Sequence, residues 1–125
     1  MITPRDILVV DDDRDIREAL AEVLASEGYR VEQAEHGAQA LARIRRGPPP
    51  DLVLLDLMMP VMSGWEFLEE AENDEVLAAI PVVVVSAMPA PLAPFNTRGG
   101  VKACLHKPLK LDLLLELVRR YSNFQ

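Results

Sequence analysis

The chain has 125 residues, half of them hydrophobic, and a formal net charge of −7. This length and composition disfavour a disordered chain and predict one ordinary domain with a real core. The negative charge disfavours nucleic acid as a direct partner, because no basic face balances it. A single cysteine, Cys104, excludes an intrachain disulfide and a cysteine zinc site.

Strand-like and helix-like segments alternate along the chain. The apolar run at residues 7–10 predicts a strand covered on both faces, Asp13 is placed to cap the helix that follows, and Gly28 is placed to end it. The same reading predicts further strands at 29–34, 52–55, 82–85 and 103–106, and helices around 38–44, 64–73 and 109–121.

The segment between the fourth and fifth strands breaks this alternation. Pro89, Pro91 and Pro94 fall close together there, and Gly99 and Gly100 follow. Proline lacks the amide donor and costs about 3 kcal/mol inside a helix. We therefore expect the fourth helix of the alternation, which would lie in residues 88–100, to be short, distorted or disordered.

Chemistry-bearing residues follow several of the predicted strands. Alternating strands and helices predict a parallel sheet with helices on both faces, in which all strands end at the same edge. Ligands of such sheets bind at that edge. This shared edge of the sheet would bring together Asp11, Asp12, Asp56, Ser86 and Lys107. A carboxylate ending a buried strand needs compensation, which a metal ion or a lysine supplies.

Five short segments carry a resemblance to a known family. They are residues 7–13 (ILVVDDD), 51–56 (DLVLLD), 59–64 (MPVMSG), 84–87 (VVSA) and 107–108 (KP). In this order and spacing they resemble the receiver domain of two-component response regulators, over nearly the whole chain. The resemblance implies a flavodoxin-like doubly wound α/β fold with a five-stranded parallel sheet of order 2-1-3-4-5.

The resemblance also implies a phosphoryl-transfer site. Asp56 matches the aspartate that accepts a phosphoryl group from a phosphohistidine on a sensor histidine kinase or a histidine phosphotransfer protein. Asp11 and Asp12 match the acidic pair that binds Mg²⁺ together with Asp56 and the backbone carbonyl of Met58. The cofactor expected from the resemblance is therefore Mg²⁺, whose preferred ligands are oxygens.

Three further residues receive expectations from the same resemblance. Ser86 matches the switch hydroxyl that bonds the phosphoryl group, and Lys107 matches the lysine that pairs with it. Pro108 matches a proline that follows a cis peptide bond. Cys104 is a departure, because many receivers carry there an aromatic residue that swings inward when the switch hydroxyl moves.

We expect a single receiver domain over residues 1–125, without an output domain, that switches contacts with an unknown protein target. No signal peptide precedes the first strand, and the longest apolar stretch, residues 80–87, is far below the roughly 18 residues that span a bilayer. We therefore expect a cytoplasmic protein without membrane insertion. The usual dimer face of the family uses the fourth helix, so a monomer or weak dimer is expected.

The sequence is equally compatible with a receiver excised from a larger protein. Two alternative functions also stay open. One is a degenerate receiver that is never phosphorylated and acts as an interaction module. The other is an enzyme, such as a phosphatase with an aspartyl nucleophile, which would need a second acid or base beside Asp56; Leu57 and Met58 supply none. We expect no turnover of an external substrate beyond the receiver's own Mg²⁺-dependent phosphorylation and dephosphorylation.

Overall fold

The computed structural model describes residues 5–87 and 100–122. Its centre is one parallel sheet of five strands in the order β2-β1-β3-β4-β5. The strands are β1 (Asp6–Val10), β2 (Arg30–Ala34), β3 (Leu52–Asp56), β4 (Val82–Ser86) and β5 (Val101–His106). This arrangement confirms the predicted doubly wound, flavodoxin-like fold.

Five helices accompany the sheet in the described part of the chain. They are α1 (Arg14–Ser26), α2 (Gly37–Arg46), α3 (Gly64–Glu72), α4 (Glu75–Ala78) and α5 (Leu111–Ser122). The one-turn helix α4 precedes β4 and is capped by the side chain of Asp74; the sequence patterns did not predict it. The expected short or distorted helix between β4 and β5 falls on residues 88–99, which lie outside the described residues.

Two boundaries near the end of the chain differ from the predicted ones. β5 begins at Val101 and not at residue 103, because Val101 pairs with Val82 before a shift in the β4–β5 register. Gly100 permits this start: its φ is +84°, and a Cβ there would lie 2.5 Å from the Ile80 carbonyl oxygen. α5 begins at Leu111, after the Lys107–Pro108 peptide bond, which is cis.

The core lies on both faces of the sheet. Alternate residues of each strand point to opposite faces. Leu8 and Val10 belong to the apolar cluster that includes α2, α3 and α4, whereas Ile7 and Val9 belong to the cluster that includes α1 and α5. β3 and β4 are buried along their whole length. Polar groups are thereby directed to the ends of the strands.

Of the helices within residues 5–87 and 100–122, none is both long enough and apolar enough to cross a membrane.

Candidate functional site

The carboxyl-terminal edge of the sheet carries a cluster of ionisable side chains. Asp11 follows β1, Asp56 ends β3, and Lys107 follows β5. Carboxylate oxygens of Asp11, Asp12 and Asp56 lie within 4.8 Å of one another. Lys107 Nζ lies 3.2 Å from Asp11 Oδ2 and 3.5 Å from Asp56 Oδ2. The structure therefore brings these four predicted site residues together.

Asp11 is buried and hydrogen-bonded at every polar atom. Its Oδ1 accepts from the Asp13 amide at 2.9 Å, and its Oδ2 accepts from Lys107 Nζ at 3.2 Å. Its amide donates to the Ala34 carbonyl at 3.1 Å, and its carbonyl accepts from Arg17 Nη1 at 2.9 Å. Strand β2, helix α1 and the Lys107 side chain together fix this residue in one orientation. Its neighbour Asp12 is exposed.

Asp56 is a buried carboxylate with incomplete compensation. Only 5% of its surface is exposed. Its Oδ1 accepts a hydrogen bond from the Met58 amide at 3.2 Å. Burial and the charges of Asp11 and Asp12 raise the pKa of the Asp56 carboxyl from 3.8 to about 6, although Lys107 and the Met58 amide pull it down. The surroundings of Asp56 therefore disfavour its charged form.

Lys107 is the cation of the cluster and is fixed by the adjacent strand ends. Burial lowers the pKa of its ammonium, but the charges of Asp11 and Asp56 outweigh burial, so the net pKa is raised. Its backbone amide donates to the Ser86 carbonyl at 2.9 Å. This bond continues the β4–β5 pairing by one residue and holds Lys107 beside Ser86, which is fully buried at the end of β4.

The cluster fits a hard divalent cation. The cluster contains three carboxylates and one ammonium, that of Lys107, so negative charge is in excess there. Carboxylate oxygens with solvent on one side are the ligands that Mg²⁺ prefers. Asp12 supplies the exposed member of this set. The Met58 carbonyl stays a predicted ligand, and the Met58 side chain is 59% exposed.

Gly64 lets α3 start against the end of β3. Its amide donates to the Leu57 carbonyl at 3.0 Å. A Cβ at this position would lie 2.4 Å from the Asp56 carbonyl oxygen and 2.8 Å from Leu57 Cα. The sequence marks residues 59–64 as a motif, and the structure shows the physical reason for its glycine, which is this close backbone approach to Asp56.

Arg17 is a site neighbour that the sequence reading did not single out. It is buried although charged, and it contacts the backbone of Asp11. A signal was available: Arg17 shares the buried face of α1 with Leu20, Ala21 and Leu24, at helical spacing. A charged residue at a core-facing position indicates a buried polar partner.

Cys104 and the two histidines of the chain, His36 and His106, are not members of the carboxylate cluster. Cys104, in β5, packs against the apolar cluster that includes α2 and α3, and burial raises the pKa of its thiol. His36 caps α2 through Nδ1, which accepts from the Gln39 amide at 3.3 Å. His106 is exposed.

Comparison with known proteins relates this chain to one family. The family model described as "Response regulator receiver domain" matches residues 7–119. The polar-differentiation response regulator DivK of Brucella anthropi is 28% identical over 119 residues, covering 94% of this chain and 96% of that protein. The response regulator RR06 of Streptococcus pneumoniae is 43% identical over 124 residues, and this chain spans only 54% of its length.

Solved structures show the same architecture. A CheY-like response regulator receiver domain protein from Methanospirillum hungatei superposes with a TM-score of 0.85 and 31% identity, covering 96% of this chain and 94% of that one. The response regulator TrrA from Thermotoga maritima, solved in complex with Mg²⁺ and BeF, superposes with a TM-score of 0.80 and 32% identity. The alignment covers 94% of this chain and 98% of TrrA.

Proposed function

Because the chain belongs to the response regulator receiver domain family, we propose that it accepts a phosphoryl group on Asp56 in two-component signalling. The observation that carries this proposal is the placement of Asp56: a buried carboxylate at the end of β3, next to Asp11 and 3.5 Å from Lys107 Nζ. The raised pKa of the Asp56 carboxyl supports the proposal, because strongly shifted pKa values cluster at functional sites.

The proposed step transfers a phosphoryl group from a phosphohistidine donor. An Asp56 carboxylate oxygen attacks phosphorus, the phosphorus–nitrogen bond breaks, and the imidazole leaves with the bonding electron pair and then takes up a proton. The product is an acyl phosphate on Asp56. Such transfers need positioning and charge stabilisation more than covalent help. Lys107 would pair with the phosphoryl oxygens, and the Ser86 hydroxyl would donate to one of them.

Asp11, Asp12, Asp56 and the Met58 carbonyl would hold Mg²⁺ in this proposal. The cation would neutralise charge on the phosphoryl oxygens, as divalent ions do in other phosphoryl transfers. The support for this site is the convergence of three carboxylates, together with the TrrA complex with Mg²⁺ and BeF. The role of this chain's own residues is to fix the oxygens before transfer, which Asp11 does through its four hydrogen bonds.

The proposed partners are proteins. A sensor histidine kinase or a histidine phosphotransfer protein would supply the phosphoryl group, and an unidentified protein target would read the phosphorylated state. Direct contact with nucleic acid is not part of the proposal, because the net charge is −7. We further propose that the protein is cytoplasmic, acts as a single domain, and is a monomer or a weak dimer.

The test is intact-mass spectrometry after incubation with acetyl phosphate and Mg²⁺. We expect a gain of one phosphoryl group that disappears with EDTA and in Asp56→Asn. The matched control is Asp112→Asn, which changes an exposed aspartate in the first turn of α5 and should leave the gain intact. Gain of the same group in Asp56→Asn would contradict the assignment of the acceptor.

The rival is a degenerate receiver that acts only as an interaction module. It predicts no phosphoryl gain from acetyl phosphate or from any phosphohistidine donor, and no binding of beryllofluoride with Mg²⁺. Binding of beryllofluoride without reaction with acetyl phosphate would indicate a receiver that accepts only from its protein donor. An aspartyl phosphatase would instead turn over a phosphomonoester.

A further inference from the structure

Arg17 is a buried cation to which the proposed phosphoryl transfer gives no role. Its side chain contacts the backbone of the acidic segment that joins β1 to α1, and the residue is only 8% exposed. Its backbone amide donates to the Asp13 carbonyl at 2.9 Å, which places it in the first turn of α1. Burying a guanidinium is costly unless its donors are satisfied in a defined geometry.

The guanidinium donates in two directions. Nη1 donates to the Asp11 carbonyl oxygen at 2.9 Å, and Nε donates to Gln33 Oε1 at 3.1 Å. Gln33 lies on β2, where it pairs with Val9 of β1. The Arg17 fork therefore joins the first turn of α1 to the end of β1 and to the edge strand β2. Both of these acceptors are neutral oxygens, so geometry and not ion pairing decides where the fork sits.

The Asp11 carbonyl belongs to the peptide group that links the two acidic residues. Because a peptide group is planar, fixing its oxygen fixes the plane from which Asp11 and Asp12 both depart. The carboxylate of Asp11 has its own bonds to Lys107 and Asp13. The exposed Asp12 depends more heavily on the orientation of this peptide.

We propose that Arg17 is a positioning residue: by holding the peptide between Asp11 and Asp12, it sets the relative placement of their carboxylates and thereby the Mg²⁺ affinity of the site. Arg17 does not contact the ion itself. This inference rests on the proposed metal site. Residues that orient metal ligands typically change metal affinity by roughly 10- to 100-fold when they are replaced.

Isothermal titration calorimetry with Mg²⁺ alone tests the proposal. Arg17→Met keeps the apolar stem and removes both donors, and we expect its Kd for Mg²⁺ to rise about tenfold or more. Arg17→Lys keeps the charge but has no planar fork to serve both acceptors, so we expect a similar rise. Gln33→Leu changes an exposed residue, should fold normally, and should raise the Kd by about threefold through loss of one anchor of the fork.

The matched control separates positioning from general loosening of α1. Leu24→Ala, on the same face of α1 but two turns away and fully buried, lowers stability without touching the Asp11 carbonyl. The Kd of Leu24→Ala for Mg²⁺ should stay within about twofold of the wild-type value. Circular dichroism of each variant checks that it is folded.

Three results would overturn the inference. The first is wild-type Mg²⁺ affinity in both Arg17→Met and Gln33→Leu. The second is wild-type Mg²⁺ affinity in Arg17→Lys. The third is a loss of Mg²⁺ affinity in Leu24→Ala as large as that in Arg17→Met. Failure of the wild-type protein to bind Mg²⁺ at all would instead overturn the metal site of the proposed function, and this inference with it.

Discussion

Two connections from a buried strand to a helix supply the carboxylates of the site, and they are built differently. In the β1–α1 connection, residues 11–13, Asp11 is hydrogen-bonded at all its polar atoms and α1 starts at once behind the Asp13 cap. The β3–α3 connection, residues 57–63, is longer and exposes Met58 and Val61. It contacts α2 through the Gly37 amide, which donates to the Met62 carbonyl at 2.9 Å.

The difference separates two requirements of one site. Ligands that must hold a cation benefit from fixed orientation, which the β1–α1 connection provides through strand, helix and lysine contacts. Asp56, the proposed nucleophile, instead sits beside an accessible connection, in which 78% of Val61 and 59% of Met58 are exposed. The ends of β1 and β3 therefore supply a rigid half and an accessible half of one site.

The largest effect should come from Gly64→Ala, a change at the end of the β3–α3 connection, where the helix start contacts the end of β3. The added Cβ would collide with the backbone at Asp56 and Leu57, and backbone atoms cannot be moved aside cheaply. We expect a loss of about 3 kcal/mol in the free energy of unfolding, measured by urea denaturation. Gly47→Ala is the control, since its Cβ would meet only Arg43 Nη1 at 3.9 Å; equal losses would contradict the close approach.

Asp56→Asn should stabilise the protein when no metal is present. The folded-state pKa of about 6 exceeds the ordinary 3.8, so the folded protein binds more protons and stability falls as pH rises between about 4 and 6. Above pH 6 the whole cost is present. Removing the charge should then raise the free energy of unfolding by about 2 to 3 kcal/mol at pH 7.5.

Urea denaturation in EDTA at pH 7.5 and near pH 4.5 measures this difference. We expect the gain from Asp56→Asn to shrink strongly at the lower pH, where the wild-type carboxyl is already protonated. Glu22→Gln on the exposed side of α1 is the control for removing any acidic charge. A gain that is the same at both pH values would contradict the raised pKa of Asp56.

Val61→Gly should also stabilise, by relieving strain in the longer connection. Val61 has φ +67°, and the Met62 amide donates to the Pro60 carbonyl at 2.7 Å across it, forming a tight γ-turn. A β-branched residue is strained there, and glycine is not. We expect a net gain of about 1 kcal/mol after the entropy that glycine adds to the unfolded chain.

Val76→Gly is the matched control for that experiment. Val76 is an exposed valine in α4, where the backbone is helical and glycine only adds entropy to the unfolded chain. It should lose about 0.5 to 1 kcal/mol. Thermal denaturation giving the same sign for both variants would refute the strained turn.

The smallest effect concerns the helix caps, in which the two connections are alike. Asp13 Oδ1 accepts from the amides of Asp15 and Ile16, and Ser63 Oγ accepts from the amide of Glu66. Asp13→Ala and Ser63→Ala should each cost about 0.5 to 1 kcal/mol in urea denaturation. Asp13→Asn keeps an acceptor and should cost little; a full loss in that variant would point to charge instead of capping.

Patterns along the chain were enough to predict the strands of the sheet and the residues at its carboxyl-terminal edge, whereas the strand order came from the resemblance to the receiver family. The reason is local: apolar runs such as residues 7–10 and 52–55 are buried on both faces, and parallel strands must end at one edge. The acidic residues that end those runs are conspicuous in sequence, because a charge at the end of a buried strand needs a partner.

Contacts between distant residues decided the rest. The pairing of Lys107 with both Asp11 and Asp56, the raised pKa of Asp56 and the start of β5 at Val101 depend on how strands far apart in sequence are packed. The hydrogen bonds of the buried Arg17 guanidinium and the close backbone contact at Gly64 also depend on this packing. Each joins segments whose separation in space cannot be predicted from local sequence patterns. Sequence determined which groups could meet at the edge of the sheet. Tertiary packing determined the distances between them, and with those distances the raised pKa of Asp56.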